Sequence, residues 1–490
     1  ITRVVLPKSL EFLGERAFCS CIHLKSIILP EKVTVIPQGA FAYCRELEQV
    51  FWGENLKEIG EKAFYQCEQL KETKKLHDIV LGAYAFAGCK KWKKAMVCNC
   101  QIMAYAFHET GLLETYAGDK KVVIIGETII DIKEEKEVIV CHGIKKIADY
   151  ACYGNKKITR LVLPEGLKEI GAYAFYGCTE LCEVSLPDSL EIIEESGFEK
   201  CIKIKIISSK VSFLGQSAFA FCKSLCVAKF PNIKEFKKET FFGCEHLEVI
   251  KAEAVEKIDE ACFKACKTLQ DLPSNNIKEM KEEAFANCES LQNLCFFSSV
   301  TIAAKAFLDC CGLLCLSFLD SFAVFDITSF SGCTFLEKVQ VGKKEYYFSG
   351  YNDLFQEQLP EFIKKIYISV FHCFYFQDTN TIATYRNNAK AVKIPEGITV
   401  INGEVFRDCV QLEQVELPKS ILFIGERAFF GTSWLKKKKE EQSLVIVNHI
   451  LLDGTGTTLE KVVIPKEVQR ISGWAFANCY KLKELVFCNP

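Results

Sequence analysis

The chain has 490 residues, 49% of them hydrophobic, with 12 prolines and 61 basic against 63 acidic side chains. That length exceeds one compact core and calls for several domains or a repeat array, and the hydrophobic content excludes a disordered chain. A net charge of −2 excludes a field that draws nucleic acid or anionic lipid, and no apolar run approaches the roughly 18 residues of a membrane span.

One segment recurs along the chain. "LGERAFCSCIHLKSIILP" at 13–30, "IGAYAFYGCTELCEVSLP" at 170–187 and "ISGWAFANCYKLKELVF" at 471–487 share a pattern, I-G-x-x-A-F-x-x-C-x-x-L-x-x-V-x-L-P. Its phenylalanine stands at 18, 41, 64, 86, 107, 175, 198, 219, 241, 263, 285, 307, 330, 406, 429 and 476, mostly 21 to 23 residues apart. A fixed period of that size signals a solenoid, in which stacked coils bury a face that one coil cannot bury alone. L-x-x-V-x-L alternates like a half-buried strand, with Leu181, Val184 and Leu186 inward and Glu183 and Ser185 outward. A-F-x-x-C is too short for a free helix and predicts one helical or 3₁₀ turn. At about 4.8 Å per strand, some twenty coils make a curved rod on the order of 100 Å long.

In chain order, the opening "ITRVVLP" starts within a repeat and places Val5 on the outward row of the first strand. Ile28 and Phe51 take the same position in the next two strands, with Trp52 beside Phe51, so this end carries exposed apolar side chains of the kind found at interfaces. "KKWKK" offers Lys90, Lys91, Trp92, Lys93 and Lys94 as a weak polyanion patch, charge joined to an aromatic platform. Residues 108–146 depart from the repeat with two strands and a turn, "KVVIIGETIIDIKEEKEVIV". Residues 343–400 are irregular and aromatic. There "IKKIYIS" at 363–369 fits the strand pattern and puts Tyr367 on the outward row. Residues 432–466, "SLVIVNHILLDGTGTTLEKVVIP" among them, again read as two strands and a turn. The run "WLKKKK" at 434–439 is neutralised by Glu440 and Glu441. The chain stops just after a strand with no polar cap, which predicts a segment of a longer chain. No Gly/Ser/Pro-rich linker interrupts it, so residues 1–490 are expected to form a single solenoid.

Twenty-seven cysteines raise disulfides, metal and nucleophilic catalysis as readings. Fourteen of them occupy the slot three after the phenylalanine: Cys21, Cys44, Cys67, Cys89, Cys178, Cys201, Cys222, Cys244, Cys266, Cys288, Cys310, Cys333, Cys409 and Cys479. Asn155 and Thr432 replace cysteine in that slot and cannot bridge, so a ladder of small, buried, weakly polar side chains explains the slot better than disulfides. Cys262 in the alanine slot and Cys152 in the phenylalanine slot read as core substitutions. "CSC" at 19–21, "CNC" at 98–100 and "CCGLLC" at 310–315 lack the second pair that zinc requires. No nucleotide-binding, metalloprotease or serine-hydrolase motif occurs. Cys141 and His142 are adjacent, which sends them to opposite faces of a strand. No cofactor, metal or catalytic residue is assigned.

"VVLPKSLEFLGERAF", "LVLPEGLKEIGAYAFYGCTEL" and "VVIPKEVQRISGWAFANCYKL" resemble the BspA-like leucine-rich repeats over nearly the whole chain. The resemblance implies a solenoid with a parallel β-sheet on its concave side. It also implies surface display or secretion, adhesion, and binding of a protein or glycan. The expectation is therefore a non-enzymatic binding scaffold. The alternative is a structural spacer between other domains, and a cysteine-dependent enzyme is a third class.

Overall fold

The computed structural model describes residues 1–488 except 72, 95, 96, 99, 104, 118–121, 134, 141, 274, 320–322, 348–358, 379, 388 and 457. Cys141 and much of the aromatic stretch after Tyr347 lie outside the described residues. Two compact units divide the chain, Ile1–Ile233 and Lys234–Pro490, and each is a parallel β-solenoid.

Each coil carries two short strands, and each strand pairs in parallel with its counterpart one coil on. In the first unit Glu137–Ile139, Arg160–Val162 and Glu183–Ser185 form one ladder, with Val138, Leu161 and Val184 in register. Lys146–Ile147, Glu169–Ile170, Ile192–Ile193 and Phe213–Leu214 form the other, and its second residues all point into the core. The second unit repeats this with Asn293–Phe296, Cys315–Phe318 and Lys338–Val341 in one ladder. Glu235–Phe236, Lys257–Ile258, Glu279–Met280, Thr301–Ile302 and Val324–Phe325 form its other. Alternation of side chains along a strand explains why one apolar residue in two suffices.

The A-F-x-x-C segment differs from the expected helical or 3₁₀ turn. It consists of overlapping β-turns, with Ala174 N–H on Gly171 O, Tyr176 on Tyr173 and Cys178 on Phe175 at 3.2 to 3.3 Å. The residues two before and two after the phenylalanine are left-handed, as at Tyr173 (φ 56°) and Gly177 (φ 67°), and most repeats place a non-glycine residue there. Such a residue costs about 1–2 kcal/mol. The cost is offset by what the conformation allows. Tyr173, Phe175 and Gly177 turn their N–H groups onward and donate to Glu195, Gly197 and Glu199 of the next coil, each at 2.8 Å.

Packing follows the same step. Phe18, Phe41, Phe64 and Phe86 stack nearly parallel at 5.2 to 5.4 Å between centroids. Phe241, Phe263, Phe285, Phe307 and Phe330 do so in the second unit. Such stacked pairs add about 0.5–1.5 kcal/mol beyond their burial.

The three departures from the repeat share one design, a helix followed by an antiparallel hairpin; the sequence reading had placed two strands at 108–146 and 432–466. Helix α1 (Gly111–Ala117) precedes Val122–Ile125 and Thr128–Ile132. Helix α2 (Glu361–Val370) precedes Phe374–Asp378 and Thr381–Tyr385. Helix α3 (Ser433–Glu441) precedes Val445–Val447 and Ile450–Asp453. The expected strand at 363–369 is thus part of α2. Ile363, Ile366, Tyr367 and Val370 recur at helical spacing and are buried on one face, and Pro360 starts the helix without needing an N–H.

Candidate functional site

The cysteine slot has a definite chemistry. Cys44 Sγ donates to Phe18 O (3.0 Å), Cys67 to Phe41 O (3.1 Å), Cys201 to Phe175 O (3.1 Å), Cys266 to Phe241 O and Cys288 to Phe263 O (both 3.2 Å). Each thiol reaches back to the preceding coil while the turn N–H groups reach forward. A buried carbonyl has two lone pairs, and Phe41 O takes both Cys44 N–H and Cys67 Sγ–H. Asn155 does the same with its amide, donating to Lys133 O at 3.0 Å. Thr432 instead donates to Phe429 O and accepts Leu435 N–H, capping α3, and Thr110 does likewise for α1. A threonine in this slot is therefore the sequence signal for a departing helix, and it was overlooked at Thr110.

Most slot cysteines are fully buried, whereas Cys21, Cys409 and Cys479 are partly exposed. Burial pushes the thiols of Cys44 and Cys222 up to about 12, so they hold no thiolate at neutral pH. None of the cysteines whose side chains are described is bridged. Cys152 and Cys262 are buried as core substitutions. We expect iodoacetamide at pH 8 to label Cys182 and Cys488, which are exposed, while Cys67 and Cys201 react only after denaturation; peptide mapping reads this directly. Disulfide-linked peptides from unreduced protein would overturn the thiol ladder.

Among the described residues no group of three or more His, Cys, Asp or Glu is placed to hold a metal ion, and no helix is long and apolar enough to cross a membrane. The first strands instead present outward side chains in several short ladders. Ile28 pairs with Phe51, and both are exposed, at 69% and 44%. Val5, at 79%, precedes them outside any strand. In a separate ladder of the same unit, Ile139, Val162 and Ser185 hold the outward position in register with one another. Beside it Arg160 bridges Glu137 on one side and Glu183 on the other, the latter at 3.2 Å. A shallow depression of about 490 Å³ lies over this surface, lined by Arg160, Val162, Glu183, Ser185, Ile206 and Ser208 among others. Ile139, strongly exposed, was missed because the insertion hid the register of its strand, and Ile206, also strongly exposed, because it stands in the neighbouring outward column, two residues before Ser208. The second unit has an outward row of its own, polar through Cys295, Ser317 and Gln340, and the hairpin strand Lys344–Tyr347 closes that sheet.

Three expected site residues prove to be core. Trp52 lies 6.4 Å from the Phe64 ring and is buried, because Phe51 faces outward and the next residue must face in. Tyr367 is buried in α2. Trp92 takes the leucine position of C-x-x-L and lies tilted against Phe86, 4.2 Å between ring centroids. Lys90, Lys91, Lys93 and Lys94 are exposed but have no aromatic platform. "WLKKKK" falls in α3, where Trp434 and Leu435 are buried and Lys437 pairs with Glu413 at 2.8 Å.

The family model described as "BspA type Leucine rich repeat region (6 copies)" matches residues 1–114, 145–270, 270–374 and 377–490. Among solved structures, a leucine-rich repeat protein from Bacteroides ovatus is 19% identical, with a TM-score of 0.32 over 97% of this chain and 86% of that one. A leucine-rich cell surface protein from Faecalibacterium prausnitzii is 21% identical, with a TM-score of 0.30 over 68% and 83%. The leucine-rich repeat protein of T. pallidum is 24% identical, with a TM-score of 0.27 over 43% and 82%. No curated protein matches the chain.

Proposed function

Because the chain belongs to the BspA-type leucine-rich repeat family, we propose that it is a non-enzymatic scaffold that binds a protein or glycan on the outward strand row of its first unit, at a cell surface or after secretion. One observation carries the reading. Apolar side chains recur in register at positions where an unliganded sheet gains nothing from them: Ile28 beside Phe51, then Ile139 beside Val162. The charged pairs of Arg160 flank Ile139 and Val162, giving that ladder an apolar centre with a polar border, which is the anatomy of an interface. The buried, protonated thiols argue against cysteine catalysis.

The test is a glycan array and an extracellular-protein panel probed with the intact chain. A specific hit should weaken at least tenfold in Ile28→Ser/Phe51→Ser, with the thermal midpoint unchanged, because both side chains already face water. A hit untouched by those changes places the site elsewhere. Absence of any hit favours the spacer reading.

A further inference from the structure

The forward N–H ladder meets three insertions, and two of them leave it open while one does not. Up to the third it runs regularly in the second unit: Glu404 donates to Glu426 O (3.0 Å), Phe406 to Ala428 O (2.8 Å) and Asp408 to Phe430 O (2.8 Å). At Phe429 it stops. Helix α3 and its hairpin enter before the next coil, and Gly454 N–H takes the Ala475 carbonyl at 2.6 Å, the acceptor that the repeat assigns to Phe429. The N–H groups of Arg427 and Phe429 are left with no acceptor among the described residues, and both residues line a cavity of about 300 Å³.

The insertion that begins with α1 breaks the ladder in the same way. Ile132 N–H takes Ala151 O at 2.7 Å, and a cavity of about 210 Å³ opens beside Phe107. The insertion that carries α2 does not. There Ser369 Oγ accepts Phe330 N–H and Val370 O accepts Gly332 N–H, both at 3.0 Å, so the helix supplies the missing acceptors itself. A buried donor without a partner is costly, and the α2 arrangement shows that this fold can satisfy one where nothing else binds.

The charges around the larger cavity select its occupant. Asp453 is neutralised by Lys439 at 3.4 Å and accepts Thr455 N–H at 2.8 Å. Glu426 accepts the Trp474 indole N–H at 2.9 Å. The guanidinium of Arg427 lies 3.8 Å from the Trp474 ring centroid and 5.7 Å from that of Phe430, and it forms no ion pair among the described residues. A guanidinium that rests against an aromatic ring keeps its fork of N–H donors for a carboxylate. Leu435, Leu452, Ala428 and Ala477 supply apolar wall. We propose that this cavity binds a small organic carboxylate with an apolar body, its oxygens on Arg427 and on the open N–H groups and its body against those side chains.

The site uses none of the strand-row residues, so it stands or falls apart from the scaffold reading. The probe is phenylacetate, titrated into the intact chain by calorimetry and ligand-observed NMR, with phenylacetamide as its neutral counterpart. We expect saturable binding of the acid and at least tenfold weaker binding of the amide. Arg427→Gln should bring the acid down to the level of the amide, with the circular dichroism unchanged. Should that variant not fold, Ala477→Leu narrows the cavity without touching the guanidinium and must abolish binding. Equal affinity for acid and amide, which marks a merely hydrated cavity, overturns the proposal. So does binding that survives Arg427→Gln, or no saturation of the intact chain by about 10 mM.

Discussion

Phe263→Ala should destabilise the second unit by about 3–5 kcal/mol, the range for deleting a large buried ring. Phe263 is fully buried. It stacks on Phe241 at 5.3 Å and on Phe285 at 5.1 Å, and Phe236 meets it edge-on at 5.5 Å. Its removal strips a face from two neighbours at once. The void cannot close, because Lys257–Ile258 and Glu279–Met280 hold the coil spacing by backbone pairing. In a solenoid that loss falls on two nearest-neighbour interfaces, so urea unfolding followed by fluorescence and circular dichroism should resolve an early transition. Phe263→Leu, which keeps most of the volume, should cost less than half as much. A loss below about 1 kcal/mol for the alanine variant would mean that the ring column is not what holds these coils together.

Trp92 calls for a paired experiment. Trp92→Ala should cost about 3–5 kcal/mol, since the indole is fully buried between Phe86 at 4.2 Å and Phe107 at 5.7 Å. Trp92→Phe should cost under about 1 kcal/mol despite the smaller ring, because the buried Nε1 has no acceptor among the described residues and deleting an unsatisfied donor recovers about 1–3 kcal/mol. The ranking in thermal melts is the readout. If phenylalanine costs as much as alanine, the indole N–H is bonded and the packing account of this position fails.

The repeat, the coil period and the division of strand residues into core and surface were legible in the sequence because they depend only on side-chain periodicity. Phe175, Cys178 and Leu181 recur in fixed order, and any packing that honours the order stacks them. The turn conformation was not legible. Arg16, Lys62 and Tyr173 are ordinary residues in left-handed geometry, a choice favoured by acceptors one coil away that no local propensity encodes. The insertions failed for a related reason. "IKKIYIS" satisfies both a strand and a helix pattern, and the arbiter was Pro360 together with the spacing of Ile363, Ile366 and Val370 rather than β-branching. Trp52 and Trp92 were misplaced by treating tryptophan as a surface handle when the register around each already assigned it inward. The cavity beside Arg427 had no sequence signal, since it arises from N–H groups that lost their acceptors.

The opposed hydrogen bonds between coils, N–H groups running forward and thiols running back, lie along the stacking direction. Tension applied along that direction therefore loads one coil interface at a time, as in peeling, rather than shearing many bonds together. A chain built this way yields in small, separately reversible steps and lengthens under load without losing all of its coils at once. The Thr-capped insertions, where the ladder is already open, set the places at which such yielding begins.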